Sequence, residues 1–192
     1  MAYMAVDYSG LIGMEGFSET MLSNHLALYQ GYVTNCNRLI ELLTTMLKEG
    51  NVGTPEYAEL KRRMGFEFNG MRLHEYYFGN LGGKKALDMS GSMAKKIAED
   101  FGSYEEWEKD FKGTGMMRGI GWAILYQDNV TGKLLNQWIN EHETGHFAGC
   151  IPVLVMDVFE HAFITDYGLK RVSYIEAFFK NINWNVVEGR LK

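Results

Sequence analysis

From Phe17 to Lys48 the apolar positions fall at helical spacing: Met21, Leu28, Val33, Leu39, Leu42, Leu43 and Met46, with Gly31 the one breaker. Ser18 with Glu19 supplies a start signal, and Lys48-Glu49-Gly50 a stop. A second helical stretch opens at Thr54-Pro55-Glu56, with proline at its favoured first position, and runs to about Gly79. Two long helices joined by Gly-Asn-Val-Gly predict an antiparallel hairpin. Residues 81–91, LGGKKALDMSG, are rich in turn formers and carry no apolar period, so a boundary is expected there. It divides a helical-hairpin domain, 1–84, from a C-terminal domain, 85–192. Downstream, helices are expected near 90–99 and 103–117. GIGWAILYQ and KLLNQW then flank the turn DNVTG as two strands, CIPVLVM makes a third, and 172–182 and 184–190 close the chain as helices. The expected class is α+β: a long antiparallel helical hairpin, then a small three-stranded antiparallel sheet surrounded by helices.

A hydrophobic fraction of 46% over 192 residues is ample for a folded core. The formal charge of −5 and the pI of about 5.6 argue against nucleic acid or an anionic membrane as partner. Two cysteines, Cys36 and Cys150, fit a reducing compartment. The N-terminus MAYMAVDYSGLIG has neither a basic stretch nor a sustained apolar one, and no window approaches a bilayer span. A soluble, cytoplasmic protein is expected.

MDVFEHAFITDYG, residues 156–168, delivers an acid, Asp157, and an imidazole, His161, at the end of the apolar CIPVLV run. There are five histidines: His25, His74, His142, His146 and His161. His25 stands roughly 25 residues before the inter-helix connection and His74 about 20 after it, which on an antiparallel hairpin puts them at similar heights. Each alone reads as a structural histidine. Together with Asp157 and His161 they compose a site of three imidazoles and one carboxylate; imidazole suits Fe, Cu, Ni and Zn, while carboxylate shifts the preference toward harder ions such as Mn and Fe. No CxxC pair and no HExxH motif competes with it.

YVTNCN (32–37), FNGMRLHEYYFGNL (68–81), GIGWAIL (119–125), DVFEHAFITDY (157–167) and RVSYIEAFFKNINW (171–184) together resemble the iron/manganese superoxide dismutases, in that family's order and over nearly the whole chain. The resemblance implies one Fe or Mn ion per subunit, held where hairpin and sheet domain meet. His74, Asp157 and His161 match their ligand positions. Counting back from Tyr32 puts Asn24 in the first ligand's slot. His25, one residue nearer, is the better donor, and a helix irregularity is expected to absorb the offset; in a regular helix the seven-residue spacing from His25 to Tyr32 already gives a shared face. Tyr32 matches the family's gateway tyrosine and Trp122 the tryptophan walling the pocket. The family's active-site glutamine is missing: its second-helix position is Gly70, and its sheet-side position falls on His142. Gly70 leans toward the manganese pattern, while His142 fits neither common arrangement, so the ion stays open. Glu160 matches a glutamate that reaches the partner's ligand histidine across a homodimer, and Arg171 an arginine near the channel mouth, where Lys170 adds charge for the superoxide anion. A cross-dimer histidine–tyrosine pair becomes Leu28 and Ile164. A tetramer is also compatible. His146 matches no family role and is expected to be a loop histidine. The rival expectation is a relative that keeps fold and dimer without catalysis, as the shifted spacing at His25 would allow.

Overall fold

Ser18 caps the first helix, accepting from the Met21 amide at 3.1 Å, and α1 runs Glu19–Lys48. Thr54 caps the second in the same way, accepting from the Tyr57 amide at 3.2 Å, and α2 runs Pro55–Gly79 with its proline in the first turn. These boundaries come from a computed structural model describing residues 2–192. Both helices are continuous, and the irregularity expected near His25 is absent: α1 is regular α-helix throughout. Seven residues make nearly two full turns, so His25 and Tyr32 share the face that packs toward α2 with no bulge needed.

The sheet follows two shorter helices, α3 Ser92–Phe101 and α4 Tyr104–Gly115. Its strands are β1 Gly121–Asp128, β2 Leu134–Asn140 and β3 Cys150–Asp157, all antiparallel in the order β2-β1-β3. The central strand β1 is buried along nearly its whole length, and its register sets Trp122 opposite Asp157 on one side and Ile139 on the other. Gly121 has φ 141°, and a Cβ there would lie 1.9 Å from the Ile139 carbonyl, so only glycine lets β1 enter the sheet next to Trp122. After β3 come a 3-10 turn, Glu160–Ala162, and three helices, α5 Ile164–Tyr167, α6 Arg171–Lys180 and α7 Trp184–Glu188.

One contiguous core joins the hairpin to the sheet, running from Met21, Tyr29 and Tyr77 through Trp107 and Trp122 to Tyr174 and Phe178. Just past α2, buried Asn80 behaves as a strand residue would. Its Oδ1 accepts from the Val155 amide at 3.1 Å and its Nδ2 donates to the Val155 carbonyl at 3.2 Å. Arg190 donates to both Asn80 Oδ1 and the Val153 carbonyl. Leaving such buried groups unpaired costs about 1–3 kcal/mol each, so this clip fixes the end of α2, and with it His74, against the strand that carries Asp157. Among the described residues, no helix is long and apolar enough to cross a membrane.

Candidate metal centre

Four side chains from four separate places converge beneath the hairpin. His25 comes from α1, His74 from α2, Asp157 from the last position of β3 and His161 from the 3-10 turn behind it. One donor atom from each lies within 4.8 Å of the other three. Nε2 of His25 and Nε2 of His161 stand 3.1 and 3.2 Å from Asp157 Oδ2, and Nε2 of His74 stands 3.7 Å from it. His25, His74 and Asp157 are buried, and His161 keeps 25% exposure, the one side open toward solvent. Asn24, the alternative from counting, is exposed and lines an outer cavity instead.

Neighbouring hydrogen bonds orient each donor. His74 Nδ1 donates to the Gly70 carbonyl at 2.6 Å, so the Nε2 lone pair points into the cluster. Among the described residues that nitrogen is the buried side-chain polar atom with no hydrogen-bond partner. A buried, unpaired acceptor beside a carboxylate oxygen is what a cation satisfies. Asp157 Oδ1 accepts from the Phe159 amide at 2.8 Å, and the Asp157 carbonyl accepts from Tyr174 Oη at 2.6 Å, which leaves Oδ2 as the atom facing the three imidazoles.

The electrostatics agree with that arrangement. Burial pushes His25 below its ordinary pKa and His74 well below it, favouring neutral rings with free lone pairs. Burial opposes ionisation of Asp157, but the His161 charge, with hydrogen bonds from His161 and His25, holds the carboxyl well below the usual range. For His161, burial is outweighed by the Asp157 charge and hydrogen bond, and the pKa rises. Three imidazole nitrogens and one carboxylate oxygen, buried and converging, fit a first-row metal ion.

Outside these four stands an ordered relay. Trp122 Nε1, which can only donate, lies 3.1 Å from His142 Nδ1. Nδ1 therefore accepts, and neutral His142 carries its proton on Nε2, which donates to Tyr32 Oη at 2.8 Å. His142 is fully buried, and burial lowers its pKa to about 4, so it is neutral near pH 7. Burial, with the Asp157 and Glu67 charges, raises Tyr32 to about 12 and keeps its phenol protonated. With its oxygen accepting from His142, the Tyr32 hydroxyl is free to donate elsewhere.

Gly70 makes this packing possible: a Cβ there would sit 2.6 Å from Tyr32 Cδ1. The Tyr32 ring lies over His74 with centroids 5.1 Å apart, and Trp122 meets the same histidine edge-on at 5.0 Å.

A profile of the family described as "Iron/manganese superoxide dismutases, C-terminal domain" matches residues 89–190. The chain is 39% identical over 186 residues to a "Superoxide dismutase [Fe]" of Aquifex pyrophilus, covering 93% of this chain and 86% of the relative. The chain belongs to the iron/manganese superoxide dismutase family. It is also 34% identical over 174 residues to a "Superoxide dismutase [Mn] 2" of Haloferax volcanii, covering 90% of this chain and 86% of that one, and 35% identical over 176 residues to a "Superoxide dismutase [Fe]" of Cupriavidus metallidurans. Relatives named for either ion match at similar identity.

Glu160 is exposed on the turn beside His161. The Arg171 guanidinium donates to the carbonyls of Met117 and Gly119 at 2.8 and 2.9 Å and covers the Phe163 ring. Leu28 and Ile164 are 40% and 45% exposed. Sequence reasoning missed two aromatic walls: Phe159 stacks on both His142 and His161, with centroids 4.7 and 5.2 Å away, and Phe66 meets the His142 edge at 4.5 Å. Both lie inside or beside matched motifs, and neither motif carries a sign that its phenylalanine faces a histidine. His146, expected as a loop histidine, stands in the loop between β2 and β3, with both of its ring nitrogens engaged.

Proposed function

We propose that this chain dismutates superoxide: two superoxide anions and two protons become dioxygen and hydrogen peroxide. The observation that carries the reading is the convergence of four donor atoms within 4.8 Å around a buried His74 Nε2 that has no partner. His25, His74, Asp157 and His161 would hold one iron or manganese ion per subunit. The chemistry such an ion supplies is a one-electron couple that runs in both directions between two superoxide molecules.

The protein's part is positioning, charge and protons. Ionised Asp157 offsets positive charge among the imidazoles and, with its second oxygen tied to the Phe159 amide, cannot swing away. Tyr32 Oη, accepting from His142, keeps its own proton free to donate and is the replaceable proton source of this site. His142 takes the glutamine's place as the donor that sets the direction of that phenol, and Trp122 fixes which His142 nitrogen donates. Phe159, Phe66 and Trp122 exclude bulk water from the approach.

Exposed Glu160, beside His161, and the exposed apolar pair Leu28 and Ile164 support a homodimer in which Glu160 reaches the neighbouring subunit's His161. The division at residues 84 and 85 is retained, with the cluster drawn from both parts. Metal analysis of the purified protein, with dismutation assays after separate iron and manganese reconstitution, tests the function. Activity with either ion supports the enzyme; inactivity with both ions bound at full occupancy overturns it in favour of a non-catalytic metal-binding member.

A further inference from the structure

His146 is the histidine that the reaction leaves unused, and its surroundings are built. It sits in the loop between β2 and β3, four residues after His142, half-buried. Its Nε2 is 2.8 Å from the His142 carbonyl and its Nδ1 is 2.6 Å from Tyr126 Oη. The carbonyl can only accept, so Nε2 carries the proton and donates. Nδ1 of the neutral ring then accepts from the Tyr126 hydroxyl. Asn69, on α2, lies 3.5 Å from the same Nε2.

Tyr126 is 1% exposed on the central strand. The path therefore runs from a buried strand, through His146, to the main chain of the residue whose ring sits between Trp122 and Tyr32. The loop needs such a tie. Glu141, just before His142, has φ 52°, a left-handed conformation that a non-glycine side chain adopts only at a cost. A two-way backbone bridge between Asn140 and Thr144 closes the turn, and Gln137 Nε2 donates to the Gly145 carbonyl at 3.2 Å. Those bonds shape the loop; only the His146 bond holds the His142 carbonyl itself among the described residues.

We infer that His146 is a positioning residue of the dismutase: a clamp, locked by Tyr126, that holds the His142 backbone so its imidazole keeps donating to Tyr32. It touches neither the four-residue cluster nor the relay side chains and acts only through the main chain of His142. The rate arm of the test rests on the dismutase reading; the structural arm does not.

The test uses full-length, metal-loaded protein and substitutions that separate the two nitrogens. His146→Gln keeps an amide N–H where Nε2 stood, His146→Asn keeps an acceptor where Nδ1 stood, and Tyr126→Phe removes only the hydroxyl that donates to Nδ1. Metal content, melting temperature, dismutation rate and a crystal structure are measured for each. The clamp predicts that His146→Asn keeps full metal but loses about tenfold in rate, the scale on which outer hydrogen bonds act. Its His142 Nε2 should lie clearly beyond the native 2.8 Å from Tyr32. His146→Gln should restore most of the rate and the native separation, and Tyr126→Phe should fall between them.

Equal rates in the Gln and Asn variants, or a native His142–Tyr32 separation in His146→Asn, overturn the clamp. So does a rate loss that merely follows lost metal or lowered melting temperature in all three. If His146→Asn fails to fold, the contrast between His146→Gln and Tyr126→Phe decides alone: equal rates there overturn it. A wild-type protein that binds metal yet dismutates nothing would sink the dismutase reading, while the crystal comparison would still judge the clamp.

Discussion

Replacing His142 with glutamine should change how stability depends on pH by an amount that follows from its burial. The imidazole titrates near 4 in the folded chain, against an ordinary 6.5. Between those values the unfolded state binds a proton at this residue and the folded state does not. Stability therefore falls as pH falls through that window, by up to about 1.4 kcal/mol per pH unit and about 3 kcal/mol in total. Above 6.5 the contribution is fully present. Glutamine retains an amide N–H for Tyr32 and an acceptor for Trp122 but has no proton to gain, so His142→Gln lacks this slope. Denaturant unfolding of chelator-treated wild type and variant, from pH 7 to pH 4, measures the difference. Both proteins share the titrations of His25, His74, Asp157 and His161, which largely cancel in the subtraction. The stability of wild type relative to the variant should decline by about 3 kcal/mol over the window, well outside the error of linear extrapolation. Parallel curves would mean that His142 is not held neutral between Trp122 and Tyr32, and the proton direction assigned to the relay would fall with it.

Other perturbations probe the centre from different sides. Asp157→Asn removes the charge facing three imidazoles and should cut bound metal at least about tenfold with the helical circular dichroism unchanged; full occupancy would show that the carboxylate is not a ligand. Gly70→Ala places a Cβ against the Tyr32 ring, so it should cost about 1–3 kcal/mol in unfolding free energy and lower the dismutation rate while metal stays bound. Tyr174→Phe strips the donor from the buried Asp157 carbonyl and should cost about 1–3 kcal/mol by the same measurement. Chelation of the metal should lower the melting temperature, with iron or manganese restoring it. A ligand at about a thousandfold its dissociation constant adds about 4 kcal/mol, and an unchanged melting temperature would argue against a bound ion.

The parts of this molecule that could be read from sequence are those in which chemistry and spacing lie along one element. The hairpin is legible because Ser18 and Thr54 cap helices whose apolar positions repeat over many turns, and the strands because β1 and β3 are unbroken apolar runs. The turn at Glu160–Ala162 and the helix at Ile164–Tyr167 are too short to show any period, and neither is legible. His25 shows the limit of counting against a family pattern. The offset from Tyr32 suggested a distorted helix, yet a regular one brings both residues to one face, with Asn24 turned out to the surface.

His142 and His146 show a deeper limit. Their spacing of four would suit a helix, but they stand in a loop, where spacing carries no orientation. What fixes them is an asymmetry of donors spread over three elements: an indole on β1 that can only donate, a carbonyl that can only accept, and a phenol on α1 with one of each. Trp122 makes His142 donate to Tyr32, and the His142 carbonyl makes His146 accept from Tyr126. Each proton's direction follows from a partner with no choice, and those partners come together only when the strands and the hairpin are in place. A sequence names the groups that can hold a proton; the fold decides which way each one points.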